Sequence, residues 1–305
     1  MQLAAKSNLL AESLMMTSLR KIGMEGAAWS MRRLHCPVNK DALVLEVGSG
    51  GSPYARANVL LDAYDSTRER HWVPLVVDRP MVLGFVEQLP FKDKSFDFVI
   101  ASHVLEHSSR PEKFLSELQR VAKAGYIEVP DAFMERVNPY KDHRLEITER
   151  DGKLIIKKKT DWIVEKETVE LYKHKVKPIM TKELIPSRPF AFHVRYYWKD
   201  QIDFEVVNQN DDASWEPVES TSAYTSMIQK GTSLKGILLR YLRSALSQQR
   251  RNKSIDIMNL IVCPNCNSDE LHMEPELLTC TNCSAKYNVE NGVPLLFKSH
   301  PVIEE

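Results

Sequence analysis

Leu45-Glu46-Val47-Gly48-Ser49-Gly50-Gly51 is the stretch that decides how this chain folds. The apolar run Ala42–Val47 leads into three glycines, the pattern of a buried parallel strand that feeds a tight turn. Glycine lacks Cβ and tolerates positive φ, so such a turn lets backbone approach a ligand more closely than side chains would allow. By itself the stretch is weakly specific. A dinucleotide fingerprint requires Gly-x-Gly-x-x-Gly, and the place of the third glycine is taken by Pro53.

Outward from the turn, Ala57–Leu61, Leu75–Val77 and Phe96–Ala101 are short apolar runs that read as further strands. Pro111 opens a predicted helix, Glu112–Ala122, with Phe114, Leu115, Leu118 and Val121 at helical spacing, and Tyr126–Val129 follows as a strand. Strands alternating with helices or loops predict an α/β, Rossmann-like fold. Its mostly parallel sheet would carry flanking helices, with ligand sites beyond the carboxyl ends of the strands. Upstream, Leu9–Leu34 reads as a helix broken at Gly23 and Gly26 that caps this unit. Downstream, Leu145–Thr148 and Leu154–Ile156 flank Asp151-Gly152, a favourable hairpin turn. His193–Trp198 with Phe204–Val207 suggest a second antiparallel pair, so the region is read as inserted antiparallel structure. Ser233–Gln249 is amphipathic, and Arg240, Arg243, Arg250 and Arg251 suit either a solvated face or contact with phosphate or lipid head groups.

These readings divide the chain into an N-terminal helical cap (1–40), an α/β domain (41–228) with an insertion at 132–192, an amphipathic helix and linker (229–256) and a cysteine-bearing module (257–305). The 305 residues carry 41 Lys+Arg against 41 Asp+Glu, so net charge gives no indication of a nucleic-acid partner while leaving one possible through a local patch. No apolar run reaches the roughly 18 residues of a membrane span, and Met1–Leu19 is unlike a secretory signal; a cytoplasmic location is the expectation.

A second block makes the glycine turn specific. Glu87-Gln88-Leu89-Pro90-Phe91, then Ser95-Phe96-Asp97, then Ser102-His103-Val104-Leu105-Glu106-His107 follow it in order. With them the chain resembles the class I methyltransferases of the small-molecule and ubiquinone-biosynthesis type over about residues 42–131. The resemblance implies S-adenosylmethionine as cofactor and methyl transfer by in-line displacement to an acceptor that the sequence leaves unidentified: small molecule, glycan or lipid precursor, RNA or protein. It implies that Glu46, Gly48, Ser49 and Gly50 cradle the methionine portion, and that Asp62 accepts from the ribose hydroxyls, with Asp65 and Asp78 as rivals. Phe85, Val86 and Glu87 then lie at the adenine, and Ser102 and His103 where the sulfonium meets the acceptor.

Two departures from the family pattern stand out. Asp62 follows Gly50 by only 12 residues, against roughly 20 in dinucleotide folds, so the first crossover helix is stunted or replaced by a loop around Pro53. Where many members carry Asp-Ala for adenine, this chain has Phe85-Val86.

His103, His107, Asp131 and His143 are the candidate catalytic residues; a histidine near neutral pH is suited to take a proton from an acceptor. Methyl transfer from a sulfonium also proceeds by positioning alone, which makes a base optional. Asp131, Tyr140, His143 and Arg144 fall in loops after the fifth strand, which in this architecture overhang the site.

Cys263-Pro-Asn-Cys266 and Cys280-Thr-Asn-Cys283 are separated by residues 267 to 279. Two such knuckles turn four thiolates toward one point, the set that structural zinc prefers, with no coordination position left open. With Leu260–Pro264 and Asn291–Leu296, this tail resembles the zinc-ribbon activator subunit that partners several methyltransferases, here fused in cis. The resemblance implies a ribbon that packs on the catalytic domain; a free-standing module is the alternative. Two competing functions remain: a non-catalytic binding or scaffold module with a degenerate pocket, and a nicotinamide-dependent oxidoreductase. The latter requires glycine at position 53 and a longer crossover.

Overall fold

The computed structural model describes residues 12–64, 73–174, 176–215 and 246–298. Val44–Val47 (β1), Val59–Asp62 (β2), Met81–Leu83 (β3) and Phe98–Ser102 (β4) are buried along their whole length, as strands covered on both faces must be. With Ala124–Pro130 (β5) they form a parallel sheet in the order β3-β2-β1-β4-β5. The strand order reverses between β1 and β4, and that switch point opens a crevice at their carboxyl ends. Leu145–Arg150 (β6) and Lys153–Lys158 (β7) form the expected hairpin, its turn residues Asp151 and Gly152 both at positive φ.

His193–Lys199 (β8) and Phe204–Val206 (β9) are strands but not a pair. β8 runs antiparallel to β5 and closes the large sheet, whereas β9 pairs in parallel with β7. Two local features account for this. Asp200, at φ 64°, turns the chain away after β8. Gly125 on β5 lets Trp198 lie against the sheet, where a Cβ would stand 2.7 Å from the indole.

Between β1 and β2 there is no helix, as the short interval implied. Residues 48–58 form a loop held by Tyr54 N–H to Glu46 Oε2 (2.7 Å) and Val44 N–H to Asn58 Oδ1 (3.0 Å). Leu75–Val77 is not the third strand. It lies on the glycine turn, with Val76 N–H donating to Gly50 O (3.2 Å), and β3 comes after Pro80.

Leu14–Lys21 (α1) and Glu25–Met31 (α2) replace the single N-terminal helix, with the break at Gly23 (φ 79°). Gly26 lies inside α2 and does not end it; a Cβ there would stand 2.8 Å from Pro186 O. Pro111–Val121 (α3) packs Phe114, Leu115, Leu118 and Val121 onto the sheet. Of the Ser233–Gln249 helix, residues up to 245 lie outside the described residues, as do Arg240 and Arg243. Arg251 is used at the surface of the α/β unit, donating to the carbonyls of Lys40, Asp41 and Ala42. No helix among the described residues is long and apolar enough to cross a membrane.

Leu271–Met273 (β10), Leu277–Cys280 (β11), Lys286–Glu290 (β12) and Val293–Pro294 (β13) make a separate antiparallel sheet. It is fixed to the α/β unit by backbone and core together. Lys92 N–H donates to Leu260 O (2.9 Å), Val262 N–H to Pro90 O (3.0 Å) and Leu296 N–H to Leu83 O (2.7 Å). Ile261, Leu278, Tyr287 and Leu296 belong to the same buried cluster as Leu45, Phe91 and Phe114.

Candidate functional site

A cleft of about 910 Å³ lies over the carboxyl ends of β1, β2 and β4. One wall is the glycine turn. Gly48 and Gly50 have φ of +64° and +57°, a region side chains rarely adopt. A Cβ on Gly48 would stand 2.2 Å from Val104 Cγ2, so this position admits only glycine as the structure is built. Ser49 Oγ is buried on this wall without a hydrogen-bond partner among the described residues. Asp62, at the end of β2, accepts from Gly50 N–H (2.9 Å) and Ala63 N–H (2.9 Å), which ties the second strand to the turn. Asp78 pairs with Arg79 away from the cleft lining, and Asp65 lies outside the described residues.

Phe85, Val86 and Glu87 line the same end. Phe85 meets Tyr64 and Phe297 edge-on, at ring-centroid distances of 6.1 and 5.0 Å. Glu87 accepts from the Ser108 hydroxyl (2.6 Å). The tail thus reaches this wall of the cleft through Phe297.

Below the middle of the cleft is a buried charge network. Glu128 on β5, fully buried, accepts from Arg32 Nε (2.8 Å), Ser102 Oγ (3.0 Å) and the Tyr126 hydroxyl. His103 follows β4 in the left-handed region (φ 58°), its Nε2 3.2 Å from Glu128 and its Nδ1 3.3 Å from Glu106. Burial opposes the imidazolium, but the two carboxylates override it and push His103 up to about 9. A histidine charged at neutral pH has no lone pair with which to take a proton, so the geometry supports an electrostatic role for His103 rather than that of a base.

The far end holds Glu106, His107, Tyr140, His143 and Arg144. His107 Nδ1 is 3.0 Å from Asp142 O, and His143 Nδ1 is 2.8 Å from Glu135 Oε2. Glu135 is buried and also accepts from Lys159 Nζ (2.7 Å). The rings of His107 and His143 meet edge to face at 4.8 Å, and Tyr140 stacks on His143 at 4.7 Å. Arg144 donates to the carbonyls of Ala213 and Trp215 (both 2.6 Å). Ile185 and Phe192 complete this end.

Glu46 and Asp131 do not line the cleft. Glu46 is buried behind the turn and holds Tyr54 N–H. Asp131 caps the helix Ala132–Val137, accepting from Phe133 N–H (2.9 Å) and from the Thr148 hydroxyl (2.7 Å). Both oxygens are occupied by structure, because a residue that ends a strand and starts a helix is a natural N-cap. Sequence reading missed Glu128, Arg32 and Glu135. A glutamate in the apolar strand Tyr126–Val129 is the one available signal; its partner Arg32 is 96 residues away.

In the tail, the sulfurs of Cys263, Cys266, Cys280 and Cys283 lie within 4.8 Å of one another. Asn267 and Ser284, each following a Cys-x-x-Cys pair, are at positive φ (58° and 60°), which lets the knuckles turn back. Asn267 N–H and Ser284 N–H close them onto Cys263 O and Cys280 O. Four convergent thiols from two knuckles are the donor set of a tetrahedral metal site.

Residues 45–127 match the family model described as a methyltransferase domain. The match runs from the glycine turn to β5 and so contains Asp62, Ser102, His103, Glu106 and His107. Over 81 residues the chain is 32% identical to an uncharacterized protein of Methanocaldococcus jannaschii, covering 27% of this chain and 40% of that one. The chain therefore spans less than half the length of this curated relative. Among solved structures it is similar to a SAM-dependent methyltransferase of Methanosarcina mazei (14% identity, TM-score 0.27, 37% of this chain and 69% of the other). It is also similar to one chain of the Haloferax volcanii complex that holds the Trm112 methyltransferase activator (18% identity, TM-score 0.28, 48% and 77%).

Proposed function

We propose that this chain is an S-adenosylmethionine-dependent methyltransferase whose C-terminal zinc ribbon is a fixed part of the catalytic unit. The observation that carries the reading is the cleft at the end of β1, β2 and β4, whose glycine-turn, β2 and β4 walls fall on the stretch matched by the methyltransferase family model. Its glycine turn, the buried Ser49 hydroxyl and the Asp62 carboxylate suit a ligand with an amino-acid portion and a ribose diol.

The bound cofactor supplies a methyl group on a cationic sulfur. Transfer to an acceptor lone pair would break the carbon–sulfur bond with its electron pair left on sulfur, and the acceptor's proton would pass to solvent. Gly48 and Gly50 would bring backbone close to the cofactor, Asp62 would hold its sugar, and Val104 and His103 would form the floor where the acceptor approaches. The walls contributed by Phe192 and Ile185 exclude water and hold the acceptor in line, and positioning of this kind supplies much of the acceleration. The four cysteines of the tail suit a closed zinc site that holds the ribbon folded.

The acceptor is the open part of the reading. Purified protein incubated with a cell extract and methyl-labelled cofactor, followed by mass spectrometry, is expected to yield a labelled species that wild type makes and Gly48→Ala does not. Labelling in neither sample would count against methyl transfer.

A further inference from the structure

We infer that His193 is the general base of the methyl transfer proposed above, its Nε2 taking the proton that the acceptor loses; the inference rests on that reading of the cleft. His193 opens β8 opposite Pro130, at the carboxyl end of β5, and lines the cleft beside His103. The two rings meet edge to face at 5.5 Å. Hydrogen bonding decides which nitrogen is available. Nδ1 lies 2.9 Å from Pro189 O, and a carbonyl oxygen only accepts, so the neutral ring carries its proton on Nδ1 and its lone pair on Nε2. Nε2 is bonded to no described residue and is not sealed from solvent, which leaves it open to the cleft that the ring lines.

The surroundings keep that lone pair free and the ring in place. Burial works against the imidazolium, and the cations His103 and Arg32 add to this against the pull of Pro189 O and Glu128, so His193 stays below the usual histidine range. His103, held by Glu106 and Glu128, is pushed the other way, and two neighbouring groups driven apart in this manner divide into a fixed charge and a base. Trp29 packs on the His193 ring at 4.6 Å, Phe190 meets Trp29 edge-on at 5.2 Å, and Arg32 lies over the Trp29 ring at 3.9 Å on its way to Glu128. A base held this way needs no reordering to meet an acceptor in line with the methyl group. As the acceptor's lone pair closed on the methyl carbon, the carbon–sulfur bond would break with its pair left on sulfur, and the acceptor's proton would pass to the Nε2 lone pair and from there to solvent. Bonding to the methyl group makes that proton acidic, so a base weaker than an ordinary imidazole is sufficient.

Two measurements on the full chain test the role. Nitrogen NMR of the histidine rings, with His193→Asn assigning the resonances, needs no acceptor: His193 is expected to carry its proton on Nδ1, with Nε2 bare, and to gain charge only below about pH 6.5, the ordinary histidine value. The charged groups that face the ring and set this transition are His103, Arg32 and Glu128. A proton on Nε2, or a ring charged at neutral pH, overturns the role. The second measurement follows label from methyl-labelled S-adenosylmethionine into species of a cell extract. His193→Asn keeps an N–H for Pro189 O but has no lone pair in place of Nε2, so labelling should slow about 10²- to 10⁴-fold while affinity for S-adenosylhomocysteine stays unchanged. Free imidazole should restore part of the rate to His193→Ala, and labelling by wild type should rise with pH through the His193 transition and level off above it, because only the neutral ring accepts a proton. Equal labelling by wild type and folded His193→Asn overturns the role. Folded wild type with no affinity for S-adenosylhomocysteine and no labelling would remove the methyl-transfer reading and the base with it, an outcome that the NMR result keeps apart from a failure of His193 itself.

Discussion

Phe297, from the cysteine-bearing tail, meets Phe85 edge-on at 5.0 Å on the wall of the cleft. Between the two, Leu296 N–H bonds to Leu83 O and extends the edge of the large sheet, so the tail and this wall share one piece of structure. An edge-to-face pair adds about 0.5–1.5 kcal/mol beyond its buried area. Phe297→Ala is accordingly expected to weaken cofactor affinity by a few-fold, through the freed Phe85 ring, while leaving zinc content unchanged. Calorimetry with S-adenosylhomocysteine and elemental analysis measure the two effects.

Deletion of residues 257–305 is expected to yield an insoluble or aggregating α/β unit. The cut would uncover Phe91 and Leu83, which Ile261 and Leu295 pair with through isolated bridges, and large exposed apolar patches drive association. A soluble, monomeric truncation with an unchanged melting temperature would show the tail to be dispensable for the fold.

Cys266→Ser removes one of four converging thiols and is expected to release zinc. Because the ribbon shares its core with the α/β unit, the melting temperature of the whole chain should fall with it. Protease digestion separates the outcomes: early cleavage within 257–298 is expected, and an unaltered digestion pattern would contradict a metal-held ribbon.

At the turn, Gly48→Ala forces a side chain to φ +64° and into Val104. The left-handed conformation alone costs roughly 1–2 kcal/mol, so lower stability and loss of cofactor binding should appear together. Asp131→Ala provides the contrast. It should cost about 0.5–2 kcal/mol of stability as a lost cap, and cofactor affinity, read by calorimetry, should not move.

Much of the sheet was legible in the sequence because buried parallel strands are continuous apolar runs bounded by turn residues. Val44–Val47, Phe98–Ser102 and the Asp151-Gly152 hairpin follow from pattern alone. Leu75–Val77 misled because apolar residues that cover a glycine turn carry the same local signature as a strand, and only the tertiary contact of Val76 with Gly50 separates them. The pairing of β8 with β5 rather than β9 is likewise non-local, since it depends on the space above Gly125. In the site, Gly48, Asp62, His103, His107 and His143 were all legible as residues lining one cleft. Asp131 was not legible as a cap, nor Glu46 as a brace behind the turn, because acid side chains reveal their partners only when folded. The network of Arg32, Glu128 and His103 joins residues far apart in sequence, and no spacing rule connects them.

The central claim is a cofactor pocket closed by Asp62 at one end of the cleft, and isothermal calorimetry of zinc-loaded protein with S-adenosylmethionine and S-adenosylhomocysteine tests it most directly. One ligand of each kind should bind per chain, and Asp62→Ala should weaken both by about 1–3 kcal/mol, the cost of losing a charged hydrogen-bond acceptor. Folded wild-type protein with no measurable heat for either ligand would contradict it.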